Sequence, residues 1–142
     1  MERQEKHYVE ETVHRLYWEQ DVNCARTMLT CLGELFSVPI EPQTMHAAIG
    51  MHGAGGFRAQ CGLVEGALMF IGVHLGAQGC SDAQIARECY GFAQAFTARF
   101  GTLTCEGLRP GGFTDHDPPH ACERLTNEAI MFTIGFLRSP DS

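Results

Sequence analysis

The chain has 142 residues, of which 44% are hydrophobic and 19% are charged, a composition that excludes a disordered protein. The length predicts a single domain over residues 1–142 with one hydrophobic core. Seventeen acidic residues against ten basic ones give a net charge of −7. This charge disfavours nucleic acid and anionic membrane surfaces as partners, because both are bound through basic patches.

The N-terminus and the cysteine count indicate where the protein works. Residues 2–7 are all polar or charged, so they lack the apolar segment of a secretory signal peptide. The longest apolar stretch, residues 62–77, contains Glu65 and His74 and is too short to span a bilayer. These features predict a cytoplasmic protein. In that compartment seven cysteines are more typical of metal ligands, reactive thiols or core residues than of disulfides.

The N-terminal half of the sequence predicts three helices, since its apolar residues recur mainly at intervals of three and four. The first covers residues 2–19 and ends before Asp21, which breaks the chain and caps the next helix. The second covers residues 22–36 and ends before a Val-Pro pair. A short third helix covers residues 42–49, and residues 50–56 form a glycine-rich loop.

The C-terminal half predicts three long helices. One covers residues 61–77 and contains Gly62, Gly66, Gly72 and Gly76. Each mid-helix glycine costs roughly 1 kcal/mol relative to alanine, so close approach of another backbone or of a cofactor is expected. The next helix covers residues 81–100, because its first residues match a capping box. A loop over residues 107–119 precedes the last helix, which begins near Pro119; the sum is an all-α fold, a compact bundle of about five or six helices.

Four cysteines share one setting in these predictions, since each lies at or near the start of a helix or turn. They are Cys24, Cys61, Cys105 and Cys122. A helix N-terminus presents unpaired N–H groups and a partial positive charge, which favours the thiolate form of a cysteine. Thiolates are the ligands of soft metals and of iron–sulfur clusters. The pattern therefore predicts that the four residues converge on one pocket ringed by helix N-termini.

The order of these cysteines and their neighbours resembles a known family. The residues that carry the likeness are Asn23-Cys24-Ala25, Cys61-Gly62-x-x-x-Gly66-Ala67, Phe100-Gly101 before Cys105, and Cys122. Over residues 20–137 the chain is similar to the redox-active family named for its C…GCAxxG…C…C pattern. That family is a small helical domain, found alone or fused to redox modules such as split-Soret cytochromes. The resemblance implies that the four cysteines carry a redox centre, in first place an iron–sulfur cluster.

The sequence departs from the family pattern beside the second cysteine, where Gly-Cys-Ala reads Gln60-Cys61-Gly62 and Gln60 adds bulk. Three further cysteines receive no role from the resemblance: Cys31, Cys80 and Cys89. Cys31 and Cys89 lie mid-helix on apolar stripes, which predicts that they pack in the core.

Two residues are secondary candidates for metal ligation. Glu65 lies one turn after Cys61 on the same helix face, where it could supply an oxygen ligand, take a proton or tune the charge; a hydrogen-bonded or partly exposed carboxylate is the alternative. His52 lies in the glycine-rich loop, which either is a plain connection or lets its backbone approach the Cys61 site. A second possible cluster is formed by Asp115, His116, Asp117, His120 and Cys122. The two prolines between its histidines spoil the helix that zinc ligation at this spacing would use.

Three hypotheses follow for function. The first is a redox protein that holds an iron–sulfur or other metal centre through the four cysteines and serves electron transfer or redox sensing with a redox partner protein. The second is a metal-free thiol–disulfide oxidoreductase or switch. The third is a structural zinc domain or helical interaction module without catalysis. The sequence has no catalytic triad, paired catalytic carboxylates or nucleotide fingerprint, and its apolar helix faces leave a homodimer open.

Overall fold

The computed structural model describes residues 2–108 and 122–139. Within these ranges the chain folds into five long and three short helices, so the predicted all-α bundle is confirmed. The helices are α1 (Glu2–Trp18), α2 (Cys24–Leu35), α3 (Pro42–Ala47), α4 (Gly53–Gly56), α5 (Gly62–Ala77), α6 (Asp82–Phe100), α7 (Cys105–Leu108) and α8 (Glu123–Arg138). None of them combines the length and the apolar composition that a bilayer crossing needs.

The second long helix begins later than predicted, and its cap is Asn23 rather than Asp21. The side-chain oxygen of Asn23 accepts a hydrogen bond of 2.9 Å from the backbone N–H of Arg26. Its backbone is extended, with φ −74° and ψ 170°, as a helix cap requires. Asp21 instead has a φ of +51° in the turn between α1 and α2, a conformation that suits a chain reversal and not a cap.

The core is centred on α2 and α5, which form the most extensive helix pair in the molecule. Their facing side chains are fully buried, among them Met28 and Leu32 of α2 and Val64 and Phe70 of α5. At Gly66 the two backbones touch. A Cβ added there would lie 2.6 Å from the carbonyl oxygen of Ala25 and 3.0 Å from its Cα, closer than real Cβ contacts allow.

The four glycines of α5 therefore divide into two pairs. Gly62 and Gly66 lie against neighbouring groups, and the predicted close approach is confirmed for both. Gly72 and Gly76 have nothing within 4 Å of an added Cβ among the described atoms, so the same prediction is wrong for them. The difference is one of helix face: Gly62 and Gly66 lie one turn apart on the face of α5 that meets the start of α2, and Gly72 and Gly76 lie off that face.

The sixth helix carries the caps that the sequence predicts. Ser81 Oγ accepts from the backbone N–H of Gln84 at 3.2 Å, and Gln84 Oε1 accepts from the N–H of Ser81 at 2.8 Å. Gly101 ends the helix in the left-handed conformation, with φ +91°. Between these caps, Phe92 and Phe96 are fully buried. Phe92 meets Phe136 of α8 edge to face with ring centroids 5.3 Å apart, which joins α6 to α8.

Two predictions concern the C-terminal part of the chain: a loop over residues 107–119 and a last helix that begins near Pro119. Residues 105–108 form a short helix, so residues 107 and 108 are helical and the predicted start of a loop at residue 107 is wrong. The last long helix begins at Glu123, after the predicted start near Pro119. Pro119 and the rest of the predicted loop lie outside the described residues. The same holds for four members of the second possible cluster: Asp115, His116, Asp117 and His120.

Candidate functional site

Each of the four family-pattern cysteines lies at the start of a helix, as predicted. Cys24 is the first residue of α2 and Cys105 the first of α7. Cys61 and Cys122 occupy the N-cap positions of α5 and α8. All seven cysteines lie within the described residues and are thiols, with no disulfide among them.

Cys24 and Cys61 lie within electrostatic reach of each other and of the other two cluster thiols. Burial first, and then the charges of Cys61, Cys105 and Cys122, raises the pKa of Cys24, although these three residues come from separate segments of the chain. The last two also raise the pKa of Cys61. We call this group the thiol cluster; it gathers the starts of α2, α5, α7 and α8.

Two backbone hydrogen bonds hold the segment that contains Cys61 beside the segment that contains Cys105. The N–H of Cys61 donates to the carbonyl of Leu103 at 2.8 Å, and the N–H of Cys105 donates to the carbonyl of Ala59 at 2.7 Å. These bonds flank the isolated antiparallel bridge between Gln60 and Thr104. The start of α7 is therefore tied to the residues that precede α5, without help from either thiol.

The sulfur of Cys24 lies where a side chain at residue 62 would be, and it fits there because residue 62 is glycine. A Cβ on Gly62 would overlap Cys24 Sγ and lie 2.6 Å from the carbonyl oxygen of Met51 and 3.2 Å from the Cα of His52. The glycine-rich loop thus brings its backbone against the start of α5, which was one of the two alternatives for that loop. The bare Gly62 leaves room for the Cys24 sulfur and for this backbone at once.

The side chain of Asn23 fixes the same loop to the start of α2. Its Nδ2 donates to the carbonyls of Ala48 at 3.1 Å and Ile49 at 2.8 Å, while its Oδ1 caps α2. The amide also lies 3.4 Å from Nδ1 of His52. One residue beside Cys24 therefore connects the N-terminus of α2 to the residues that lead into the glycine-rich loop.

Cys122 is positioned through contacts between α1 and α8. Tyr17 is buried, and its hydroxyl shares a hydrogen bond of 2.6 Å with Thr126 Oγ1 in the first turn of α8. Trp18 Nε1 donates to Glu123 Oε1 at 2.6 Å. Burial first, and then the charge of Cys24, raises the pKa of Tyr17 well above its usual value; Cys122 and Cys61 raise it further. The phenol thus faces the thiol cluster as a neutral group.

Cys24 and Cys61 have raised pKa values, so these two thiols of the cluster are protonated at neutral pH. Burial, reinforced by the other three thiols, raises the pKa of Cys24 to about 12, against a small lowering by the N–H of Ala25. Burial likewise raises the pKa of Cys61 to about 11, while the N–H groups of Leu63 and Val64 lower it. Desolvation outweighs the helix N-termini here, so the expectation that these termini make thiolates of the cysteines is wrong for these two residues.

No group of three or more His, Cys, Asp or Glu side chains in residues 2–108 and 122–139 is arranged to hold a metal ion. The thiol cluster is a gathering of donors and not a finished ligand set. Of the secondary candidates, Glu65 is half-buried in the first turn of α5. His52 is exposed, with Nδ1 3.1 Å from the Ile49 carbonyl oxygen.

The remaining cysteines lie apart from the cluster. Cys31 is fully buried in the core, and Cys89 is half-buried against it, with its thiol 3.9 Å from the Leu68 carbonyl. Core packing is therefore confirmed for both. Cys80 is half-buried in the turn between α5 and α6.

Sequence reasoning missed Asn23 and Tyr17 as parts of this site. The signal for Asn23 was its place directly before Cys24, where asparagine is a strong helix cap. For Tyr17 the only signal was an aromatic residue near the end of α1, which is equally typical of a core position.

The raised thiol pKa values predict that base destabilises the reduced, metal-free protein. Below pH 9 the thiols of Cys24 and Cys61 are protonated in both the folded and the unfolded chain, so their contribution to stability is complete. Above the ordinary pKa of 9.0 the unfolded chain loses these protons first. The free energy of unfolding should then fall by about 1.4 kcal/mol per pH unit for each such group, until the folded pKa values near 11 and 12 are reached.

Urea denaturation under reducing conditions between pH 8 and pH 11 measures this slope. Cys31 has a pKa raised by burial to about 12 but lies outside the cluster. The variant Cys31→Ala should therefore show a shallower fall with pH while keeping the contribution of Cys24 and Cys61. A stability that stays level over this range would contradict the burial of these thiols.

Comparison with known proteins gives one match. The family described as "Putative redox-active protein (C_GCAxxG_C_C)" matches residues 22–134, a span that includes all four residues of the thiol cluster. No curated protein and no solved structure matches the chain at a significant level.

Proposed function

The chain belongs to the C_GCAxxG_C_C family of redox-active proteins, and from this premise we propose that its redox group is a metal centre held by the thiol cluster. An iron–sulfur cluster is the first choice, with Cys24, Cys61, Cys105 and Cys122 as its ligands. Such a cluster supplies a reversible one-electron change. The function would then be electron transfer or redox sensing with a redox partner protein.

The observation that carries the proposal is that four thiols from four separate chain segments lie at helix starts, with Cys24 Sγ against Gly62 of α5 and the start of α7 bonded to the residues before α5. Each of the other three raises the pKa of Cys24. A soft metal or an iron–sulfur cluster is the group whose chemistry uses four sulfur donors together. The backbone N–H of Ala25 lowers the pKa of Cys24, and those of Leu63 and Val64 lower the pKa of Cys61, against the larger effect of burial. Hydrogen bonds from backbone N–H groups to sulfur tune the reduction potential of a bound cluster.

The raised thiol pKa values disfavour Cys24 and Cys61 as the attacking thiols of disulfide exchange. Exchange needs a thiolate at the working pH, whereas Cys24 and Cys61 have pKa values of about 12 and 11. A bound metal deprotonates its cysteine ligands by its own charge. Four thiolates without a metal would repel one another. A bound metal cation would attract all four, and this attraction supports metal binding by the thiol cluster.

Metal and sulfide analysis of anaerobically purified protein tests the proposal. The wild-type chain, reconstituted with ferrous iron and sulfide, should be brown, with broad visible absorption and stoichiometric iron and sulfide. Cys61→Ser should lose most of both. Cys80→Ser is the matched control, because this half-buried thiol lies in the turn after α5 and outside the cluster, and it should bind as the wild type does.

Equal iron and sulfide content in wild type and Cys61→Ser would contradict the proposed ligand. A colourless protein with one zinc ion, lost with the fold under chelation, would point to a structural zinc domain. A metal-free protein whose thiol count changes by two on reduction would point to a thiol–disulfide switch. A cytoplasmic location, a homodimer and the secondary ligands Glu65 and His52 stay predictions.

A further inference from the structure

Tyr17 is a buried phenol beside the thiol cluster, and the proposed ligand set does not include it. Its side chain is 3% exposed, and α1, to which it belongs, carries none of the four cluster cysteines. A buried tyrosine hydroxyl nearly always hydrogen-bonds to another group, because an unpaired one keeps the full cost of its desolvation. The groups around this hydroxyl therefore indicate its role.

Two contacts fix the end of α1 against the first turn of α8. The hydroxyl of Tyr17 shares a hydrogen bond of 2.6 Å with Oγ1 of Thr126, and Trp18 donates to Glu123 at 2.6 Å. Thr126 is fully buried and lies one turn after Cys122, whose carbonyl accepts from the Thr126 N–H at 2.8 Å. The phenol is therefore held against the turn that carries one of the cluster cysteines.

The same phenol lies within electrostatic reach of three cluster thiols that come from three helix starts. Burial raises the pKa of Tyr17 most, and the charges of Cys24, Cys122 and Cys61 raise it further. Cys24 is the first residue of α2, and the other two are the N-cap residues of α8 and α5. The hydroxyl thus keeps its hydrogen and lies beside the place where these helix starts gather.

The direction of the hydrogen bonds at Tyr17 follows from the chemistry of its neighbours. The hydroxyls of Tyr17 and Thr126 carry one hydrogen each, and only one of these hydrogens lies between the two oxygens. The phenol is the more acidic hydroxyl, and a metal-bound thiolate carries negative charge. When the cysteines are deprotonated, the phenol hydrogen is therefore drawn to sulfur, and Thr126 donates to the phenol oxygen.

We propose that Tyr17 donates an O–H hydrogen bond to a sulfur ligand of the metal centre and that Thr126 orients the phenol for it; this inference rests on the proposed function. Tyr17 is then a positioning residue that acts through the sulfur ligands. Reduction increases the negative charge on the sulfurs, and a donor stabilises this charge, so the bond raises the reduction potential. The phenol keeps its hydrogen in both oxidation states, because reduction adds an electron without a proton.

Tyr17→Phe tests the inference, because it removes the hydroxyl and keeps the buried ring. In protein reconstituted with ferrous iron and sulfide, voltammetry should show a reduction potential lower by about 59 mV. This is a tenfold shift of the one-electron equilibrium, as expected for the loss of one hydrogen bond to a charged group. Thr126→Val keeps the size of the side chain and should lower the potential by a smaller amount. Both variants should bind iron and sulfide as the wild type does.

Tyr8→Phe is the matched control. Tyr8 also lies on α1, but its hydroxyl donates to Glu34, which is at the opposite end of α2 from Cys24, roughly 15 Å along the helix. This variant should leave the potential unchanged. With Co²⁺ in place of iron and sulfide, the sulfur-to-cobalt charge-transfer absorption should move to longer wavelength in Tyr17→Phe and stay in place in Tyr8→Phe. A loss of packing alone would not produce this shift.

The outcomes separate this inference from the proposed function. A wild-type chain that takes up neither iron with sulfide nor Co²⁺ would overturn both. A loaded wild type with the same potential and the same cobalt absorption as Tyr17→Phe would overturn this inference alone, and so would an equal change in Tyr8→Phe. If Tyr17→Phe does not fold, Thr126→Val takes its place, and an unchanged potential in that variant would overturn the inference.

Discussion

Replacing Gly66 by alanine is expected to lower the free energy of unfolding by about 3 kcal/mol. The added Cβ would lie 2.6 Å from the carbonyl oxygen of Ala25 and 3.0 Å from its Cα. Because these are backbone atoms of α2, no side-chain rotation can relieve the overlap, and α2 and α5 must move apart. That separation loosens contacts of fully buried side chains such as Met28 and Val64.

Gly72→Ala is the matched control, because Gly72 belongs to the same helix and has nothing within 4 Å of an added Cβ. Alanine there gains helix propensity and should raise the free energy of unfolding by up to about 1 kcal/mol. Urea denaturation followed by far-ultraviolet circular dichroism, under reducing conditions, measures both variants. Equal effects of the two substitutions would show that helix propensity and not backbone contact determines the role of Gly66.

The same pair of glycines shows why the sequence predicts the helices better than their packing. Helix boundaries depend on local chemistry, so the reciprocal bonds of Ser81 and Gln84 and the left-handed Gly101 follow from the sequence. Gly66 and Gly72 have the same local preference, and only the helix packed against each position distinguishes them. That neighbour comes from a distant part of the chain, about which periodicity carries no information.

The thiol cluster also has features that the local sequence predicts and features that only the folded chain determines. The sequence predicts that the cysteines lie at helix starts, because Gly, Pro and capping residues mark those starts locally. The bridge that ties Cys105 to the residues before Cys61 depends on Gln60 meeting Thr104, and neither residue forms part of a strand pattern. The protonated state of the buried thiols also depends on burial, which only the folded chain sets.

A similar choice between local and distant contacts determines the cap of α2. Asp21 and Asn23 are both good helix caps by local preference. Asn23 has in addition two amide hydrogens that bond the carbonyls of Ala48 and Ile49, whereas an aspartate has no hydrogen to donate when ionised. The cap is therefore the residue that can satisfy α2 and the adjoining loop together.

Asn23→Ala is accordingly expected to lower the free energy of unfolding by about 2 kcal/mol, since it removes the cap and one donor to each of the carbonyls of Ala48 and Ile49. Asn23→Ser separates the two contributions, because serine caps a helix about as well but cannot reach the carbonyls of Ala48 and Ile49. It should lose about 1 kcal/mol and, like the alanine variant, speed hydrogen exchange at the amide of Met51, which donates to Ala48.

Ser81→Ala provides the control for a cap that has no such connection. It removes the capping bond to Gln84 and should also cost about 1 kcal/mol, but it should leave exchange at Met51 unchanged. Because Met51 lies against Gly62 beside the Cys24 sulfur, faster exchange there in Asn23→Ser means a looser cover over the thiol cluster. Wild-type exchange at Met51 in Asn23→Ser would show that the helix cap is the whole role of Asn23 and that other contacts hold the loop.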